Sequence, residues 1–176
     1  LGQLPFLFHP APRDVLVIGL GSGITVGSAA SHPVEHIRGV EVEEAMVEAA
    51  RLFGPYNHNV LDDPRVTLSI NDARNELQFN PMDYDVIISE PSNPWMTVAS
   101  NLFTDEFFQI GRSRLRPGGV FGQWIQTYSL TPPNLKSILA GFHRAFPHVL
   151  IFGTCGNSDL LVLGSDRPLV LDAAAL

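Results

Sequence analysis

Short apolar runs alternate along this chain with longer segments whose apolar residues recur at helical spacing. This alternation is typical of a parallel sheet whose strands are joined by helices. The first run, at 14–18, is continuous and β-branched, which indicates a strand buried on both faces of its sheet. The pattern therefore predicts an α/β fold.

Element by element, the pattern predicts a doubly wound, mostly parallel seven-stranded sheet with helices on both faces. The strands are predicted at 14–18, 36–42, 65–70, 84–89, 120–125, 149–152 and 160–163. The helices are predicted at 25–31, 43–53, 101–115 and 132–146. Thr104 is a candidate N-cap. The candidate buried residues are Ala45, Val47, Ala49, Leu52, Phe107, Phe108 and Leu115.

The length of 176 residues, 45% of them apolar, predicts one domain over residues 1–176 with a full core. The chain starts at Leu1, and residues 4–8 resemble the interior of a larger domain. We therefore expect a piece of a longer protein.

An excess of acid, 18 Asp and Glu against 11 Lys and Arg, gives a net charge of −7. This charge argues against a nucleic-acid partner and favours a cationic substrate. Cys155 is the only cysteine, so no internal disulfide or cysteine-built metal site is expected, and a reducing, cytoplasmic location fits. No apolar run reaches the length that crosses a bilayer, so we expect no membrane contact by this segment itself.

Three glycines follow the first strand directly, at Gly19, Gly21 and Gly23, with Ser22 between the last two. Glycines let the backbone turn sharply and approach a ligand, and the next helix presents unpaired N–H groups. Ligands of such sheets bind beyond the carboxyl ends of the strands. The segment is therefore predicted to be a ligand-binding loop.

Two carboxylates close the next two strands. Glu41, followed by Val42, ends the second strand, where a carboxylate can accept hydrogen bonds from both hydroxyls of a ribose. Asp72, followed by Ala73, ends the third strand and can accept a bond from an adenine amino group. Together with the glycines, these acids predict a nucleoside site.

Competing motifs do not fit. Ile24 and Val26 break the dinucleotide fingerprint, and no Lys followed by Ser or Thr completes a phosphate-binding Walker loop. The residues from His32 to His36 match the H-x-x-E-H pattern of a zinc-peptidase class, but Pro33 and the following strand oppose the helix that this chemistry needs. No metal site is predicted.

A series of stretches resembles the spermidine synthase (polyamine aminopropyltransferase) family. They are VLVIGLG at 15–21, HPVE at 32–35, GVEV at 39–42, DPRV at 63–66, YDVII at 84–88, LFTDEF at 102–107 and LRPGGVF at 115–121. The resemblance implies a Rossmann-like methyltransferase fold and, as ligand, S-adenosylmethionine or its decarboxylated form.

The fourth strand is followed by Glu90, at the edge of the sheet that carries the glycine loop. Aminopropyl transfer needs an amine that has lost its proton, and a carboxylate can accept that proton. The resemblance implies this role for Glu90, where the family has Asp. The family also has acids where this chain has Ser22 and Asn93.

Further side chains follow strand ends on the same side and are candidates for the substrate pocket. They are Asn93, Trp95, Gln123 and Tyr128. The expected partners are a small cationic amine and, as an open alternative, a second copy of the chain in a homodimer.

Three functions stay open. The first is aminopropyl transfer to a polyamine amine. The second is methyl transfer, since Asn93-Pro94-Trp95 is similar, with one proline fewer, to the Asn-Pro-Pro-aromatic segment of amino-group methyltransferases. The third is a non-catalytic nucleoside-binding module of a larger protein, since residues 90–95 also resemble a divergent branch with members fused to membrane-transporter-like segments.

Overall fold

The computed structural model describes residues 1–154 and 158–171. Seven strands form one sheet in the order β3-β2-β1-β4-β5-β7-β6. The strands are β1 (Asp14–Ile18), β2 (His36–Glu41), β3 (Val66–Ile70), β4 (Tyr84–Ser89), β5 (Leu115–Gln126), β6 (His148–Gly153) and β7 (Asp159–Ser165). The first five strands in this order, β3, β2, β1, β4 and β5, are parallel to one another, and β7 is antiparallel to both β5 and β6. The predicted fold class is confirmed.

The helices lie between successive strands from β1 to β6. They are α1 (Ile24–Ala30), α2 (Ala45–Arg51), α3 (Gly54–Asn57), α4 (Ala73–Phe79), α5 (Thr97–Ser100), α6 (Asp105–Ser113) and α7 (Pro132–Ala145). Short 3-10 turns lie at Leu4–Phe8, Val60–Asp62 and Asn101–Phe103. No helix in the described part of the chain is long and apolar enough to cross a membrane.

Each face of the sheet carries its own apolar core. On one face, residues of α4, α6 and α7 such as Leu77, Phe107 and Phe142 pack on strand residues that include Ile87. On the other, Val26 and its neighbours in α1 pack with residues of α2 and the first 3-10 turn. The side chains of β1 and β4 are almost wholly buried. The cores on both faces therefore hold these two strands, and with them the edge of the sheet at their carboxyl ends.

Two predicted helices differ from the observed ones. The segment predicted as a helix over 101–115 is divided at Thr104, whose hydroxyl accepts from Phe107 N over 3.3 Å and caps α6, as predicted. Leu115 was predicted to face inward from this helix, which is wrong: it begins β5.

The helix predicted over 43–53 is shorter and faces the core differently. Ala50 is fully buried, whereas Ala45 is exposed and Leu52 is 82% exposed, so the prediction that these two are buried is wrong. At 3.6 residues per turn, a residue two positions beyond Ala50 lies on the opposite side of the helix.

Cys155 lies outside the described residues.

Candidate functional site

A cleft of about 730 Å³ lies beyond the carboxyl ends of β1 to β4. The strand order reverses between β1 and β4, and this is where ligands bind in open α/β sheets. The volume is in the range of small-molecule sites. The edge that the sequence predicts to carry ligand is therefore the edge that the cleft occupies.

The first two glycines of the loop line this cleft. Gly19 has φ 90° and Gly21 has φ 50°, in the left-handed region that other residues rarely adopt. A Cβ atom at Gly19 would overlap the carbonyl oxygen of Glu90, whereas a Cβ at Gly21 would meet no atom within 4 Å. Gly19 therefore allows the loop to approach the segment after β4.

Ser22 and Gly23 lie beside the cleft and do not line it. Gly23 is the N-cap of α1, with φ 77°, and packs against Asn57. The Asn57 amide nitrogen donates to the Ser22 carbonyl over 2.9 Å and to the Ala50 carbonyl over 2.8 Å. Asn57 thus holds the glycine loop on the side that faces away from the cleft. It belongs to no motif, so the sequence held no signal for it.

Glu41 lines the cleft and is hydrogen-bonded to the glycine loop. Its Oε2 accepts from Leu20 N over 2.9 Å, and its Oε1 accepts from Val42 N over 2.9 Å and from Glu43 N over 3.0 Å. Val42 also lines the cleft. The carboxylate is therefore held in place by the backbone, at the end of β2, before any ligand arrives.

Asp72 lines the cleft at the end of β3 and caps α4. Its Oδ1 accepts from Arg74 N over 2.8 Å and from Asn75 N over 3.2 Å. Because both bonds use Oδ1, the cap leaves Oδ2 for a ligand. Ala73 lines the cleft beside it. The capping role was not predicted, although Asp before a helix is an ordinary N-cap signal.

Asn71, which also lines the cleft, is hydrogen-bonded to Glu76, a buried acid that the sequence did not point to. Glu76, in α4, is 3% exposed. Its Oε1 accepts from Asn80 Nδ2 over 2.6 Å and from Arg38, and its Oε2 accepts from Ser69 Oγ over 2.9 Å and from Asn71 Nδ2 over 3.2 Å. Burial opposes ionisation, but these four hydrogen bonds outweigh it and lower the pKa of Glu76 to about 2.

Glu90 lines the cleft between the glycine loop and residues 91–99, the segment that follows Glu90 in the chain. Its backbone N–H donates to Ile18 O over 2.8 Å, which ties it to the end of β1. Burial raises the pKa of the Glu90 carboxyl, and a hydrogen bond from Thr25 lowers it by less. A carboxylate with a raised pKa is suited to accept a proton.

The predicted pocket residues are divided between the rim and the interior. Trp95 lines the cleft and meets Tyr128 edge to face at 4.9 Å between ring centroids. The Tyr128 hydroxyl donates to Asn93 Oδ1 over 2.9 Å, so these two residues join the loops after β4 and β5 outside the cleft wall. Gln123 is fully buried in β5, and its Nε2 donates to Trp124 O over 3.0 Å.

The rest of the cleft wall is apolar and comes largely from residues that the sequence analysis did not single out, such as Met46, Met96, Val98 and Leu102. Its ionisable lining residues in the described part of the chain are Glu41, Asp72 and Glu90, all acids. The wall therefore favours a ligand with apolar surface and positive charge.

Among the described residues, no group of three or more His, Cys, Asp or Glu side chains could hold a metal ion. The His32 ring stacks on Phe6 at 4.0 Å between centroids, and His36 Nδ1 lies 2.8 Å from Asp14 Oδ1 at the start of β2. The two histidines of the H-x-x-E-H pattern thus have separate partners.

Comparison with known proteins identifies relatives of the whole cleft-bearing region. The model of the spermine/spermidine synthase domain matches residues 1–155. Spermidine synthase of Dictyostelium discoideum is 30% identical over 148 residues, covering 84% of this chain and 52% of that protein. Putrescine N-methyltransferase 2 of Nicotiana tabacum is 34% identical over 146 residues, covering 82% of this chain and 41% of that protein.

A solved structure of spermidine synthase in complex with the transition-state analogue AdoDATO superposes with a TM-score of 0.84. It is 26% identical, and the match covers 98% of this chain and 60% of that one. The chain thus spans about half the length of the curated relatives it matches.

Proposed function

Because this chain belongs to the spermine/spermidine synthase family, we propose that its cleft binds S-adenosylmethionine or the decarboxylated form and supports transfer of an alkyl group to a small amine. The observation that carries the proposal is the placement of Gly19, Glu41 and Asp72 around one cleft, at the ends of three neighbouring strands. In this proposal the loop backbone approaches the ligand, Glu41 accepts from the ribose hydroxyls, and Asp72 accepts from the adenine amino group.

Charge supports a sulfonium ligand and an ammonium substrate. The cleft wall combines apolar residues with three acids, so positive charge is favoured on both reactants. Among the relatives, the putrescine N-methyltransferases are named for putrescine, a diamine. The single cysteine is consistent with a reducing compartment, and we place the reaction in the cytoplasm on that basis.

Glu90 is the proposed general base. Its carboxylate accepts the proton that the acceptor ammonium must lose, which frees the nitrogen lone pair. The nitrogen then attacks the carbon bonded to the sulfonium sulfur, the carbon–sulfur bond breaks, and its electron pair stays on sulfur. The products are an alkylated ammonium ion, a neutral thioether nucleoside and a protonated Glu90.

Aminopropyl transfer is the first candidate, since the matching family model is that of the spermine/spermidine synthase domain and the solved structure with a TM-score of 0.84 is a spermidine synthase. Methyl transfer is the second. It is supported by the putrescine N-methyltransferase relatives, such as that of Nicotiana tabacum, which is 34% identical over 146 residues.

Product analysis separates these candidates. The protein is incubated with putrescine and either decarboxylated S-adenosylmethionine or S-adenosylmethionine, and the products are identified by mass spectrometry. Spermidine from the first mixture supports aminopropyl transfer, and N-methylputrescine from the second supports methyl transfer. Binding without either product would favour the non-catalytic module over transfer to putrescine.

The variant E90Q tests the base. We expect it to retain nucleoside binding and to lose about 10²-fold or more in turnover, the usual contribution of a positioned base. The matched control is E44Q, because Glu44 is exposed next to α2 and does not line the cleft. Full turnover in E90Q would remove Glu90 from the reaction.

A further inference from the structure

The side-chain amide of Asn71 has only one chemically allowed orientation. Its partner Glu76 is ionised, with four donors on its carboxylate, and an ionised carboxylate accepts hydrogen bonds but cannot donate them. The NH₂ group of Asn71 must therefore face Glu76, at 3.2 Å from Oε2. Its carbonyl oxygen, Oδ1, must face away from Glu76.

Asn71 lines the cleft next to Asp72, at the end of β3. We infer that Asn71, held in this orientation by Glu76, selects the nucleobase of the ligand by presenting Oδ1 as an acceptor to a purine 6-amino group. The inference rests on the proposed binding of a nucleoside. Asn71 would touch the ligand, whereas Glu76 acts through Asn71 and is a positioning residue.

The chemistry of the two purines explains the selection. A 6-aminopurine carries N–H donors at the position where a 6-oxopurine carries a carbonyl oxygen. Asn71 Oδ1 and the Asp72 carboxylate are both acceptors, so a 6-oxopurine would face them with a third acceptor and no proton between the oxygens. Buried acceptors left without a donor lose binding free energy.

The backbone also supports this geometry. Asn71 N donates to Glu41 O over 2.9 Å, so the residue is bonded both to the strand that carries the proposed ribose acceptor and to α4. Ser69, two residues before Asn71, donates to the same Glu76 oxygen. The turn between β3 and α4 is thus fixed on both sides, as a selecting contact requires.

The test uses methylthioadenosine and its 6-oxo counterpart, methylthioinosine, as calorimetric probes. For the wild type we expect methylthioadenosine to bind at least about tenfold more tightly, a ratio that corresponds to about 1.4 kcal/mol. N71L, which has a similar shape but no acceptor, should lose most of this ratio.

E76Q tests the positioning role. A Gln side chain can donate to Asn71 and so permits the flipped amide, which should reduce the ratio. N80A is the matched control, because Asn80 donates to the same carboxylate from the end of α4 and does not line the cleft. N80A should keep the wild-type ratio even if thermal unfolding shows it to be less stable.

The outcomes are distinguishable. If the wild type binds methylthioadenosine and N71L keeps the wild-type ratio, the inference is wrong and the proposed function stands. If the wild type binds neither nucleoside, the proposed function fails and the inference fails with it. Should E76Q not fold, the comparison of N71L with the wild type decides.

Discussion

Gly19 and Glu90 are in direct backbone contact, so that a Cβ atom on Gly19 would overlap the carbonyl oxygen of Glu90. The contact joins the glycine loop after β1 to the segment after β4, the two neighbouring strands at which the sheet order reverses. The loop that approaches the ligand and the acid proposed to act on the acceptor are therefore fixed relative to each other.

This contact predicts that G19A is more destabilising than G21A. Both glycines have positive φ, so Ala at either position costs about 1–3 kcal/mol of backbone strain. Only G19A adds an overlap with backbone, which we expect to raise the cost by about 1–3 kcal/mol. Urea unfolding of the two variants measures the difference. Equal free energies of unfolding would show that the loop can move away from Glu90.

Removal of the Thr25 hydroxyl should raise the pKa of Glu90 further. Burial raises this pKa, and the hydrogen bond from Thr25 is what lowers it in part. If Glu90 is the base, the acid limb of kcat/KM should move to higher pH in T25V and stay in place in T25S, which keeps the hydroxyl. Superimposable pH profiles of T25V and the wild type would contradict this role for Thr25.

The raised pKa of Glu90 also predicts how stability depends on pH. A carboxyl whose pKa rises on folding stabilises the fold in its protonated form, below its ordinary pKa of 4.5, and loses that contribution as pH rises through the folded-state pKa. E90Q never ionises. The free energy of unfolding of E90Q, relative to that of the wild type, should therefore increase between about pH 4 and neutrality. A difference between the two proteins that does not change with pH would show that Glu90 is not desolvated.

Asp72 is expected to contribute separately to stability and to binding. D72A removes the cap of α4 and should cost about 0.5–2 kcal/mol of stability. D72N keeps a capping oxygen, so it should be nearly as stable as the wild type while binding nucleoside more weakly. T131A removes the cap of α7, away from the cleft, and should lower stability alone. If D72N binds the nucleoside as tightly as the wild type does, Asp72 only caps α4 and does not contact the ligand.

The parts of the fold that the sequence predicts well are those with a strong local pattern. The bounds of β1 and β4 match the prediction because both strands are continuous apolar runs, buried on both faces. Glu41 and Asp72 could be placed at the cleft because they end strands of a parallel sheet. Leu115 could not, because an apolar residue after a helix fits either the helix or the next strand.

The missing parts of the site depend on contacts between residues far apart in sequence. Asn57 reaches Ser22, and Glu76 reaches Arg38, through packing of whole elements that no local motif encodes. The position of Ser22 beside the cleft has the same origin, since its carbonyl is bonded to Asn57 on α3. The cleft wall at Met46 and Met96 likewise requires α2 and the loop after β4 to be placed in space.

The central claim, that the cleft binds a sulfonium nucleoside through Glu41, is tested most directly by calorimetric titration of the wild type and E41A with decarboxylated S-adenosylmethionine. We expect the wild type to bind and E41A to bind about 1–3 kcal/mol more weakly, the cost of polar groups left without their partner. E43A, at an exposed neighbour outside the cleft, should match the wild type. Equal affinity of E41A and the wild type, or no binding by the wild type at millimolar ligand, would contradict the claim.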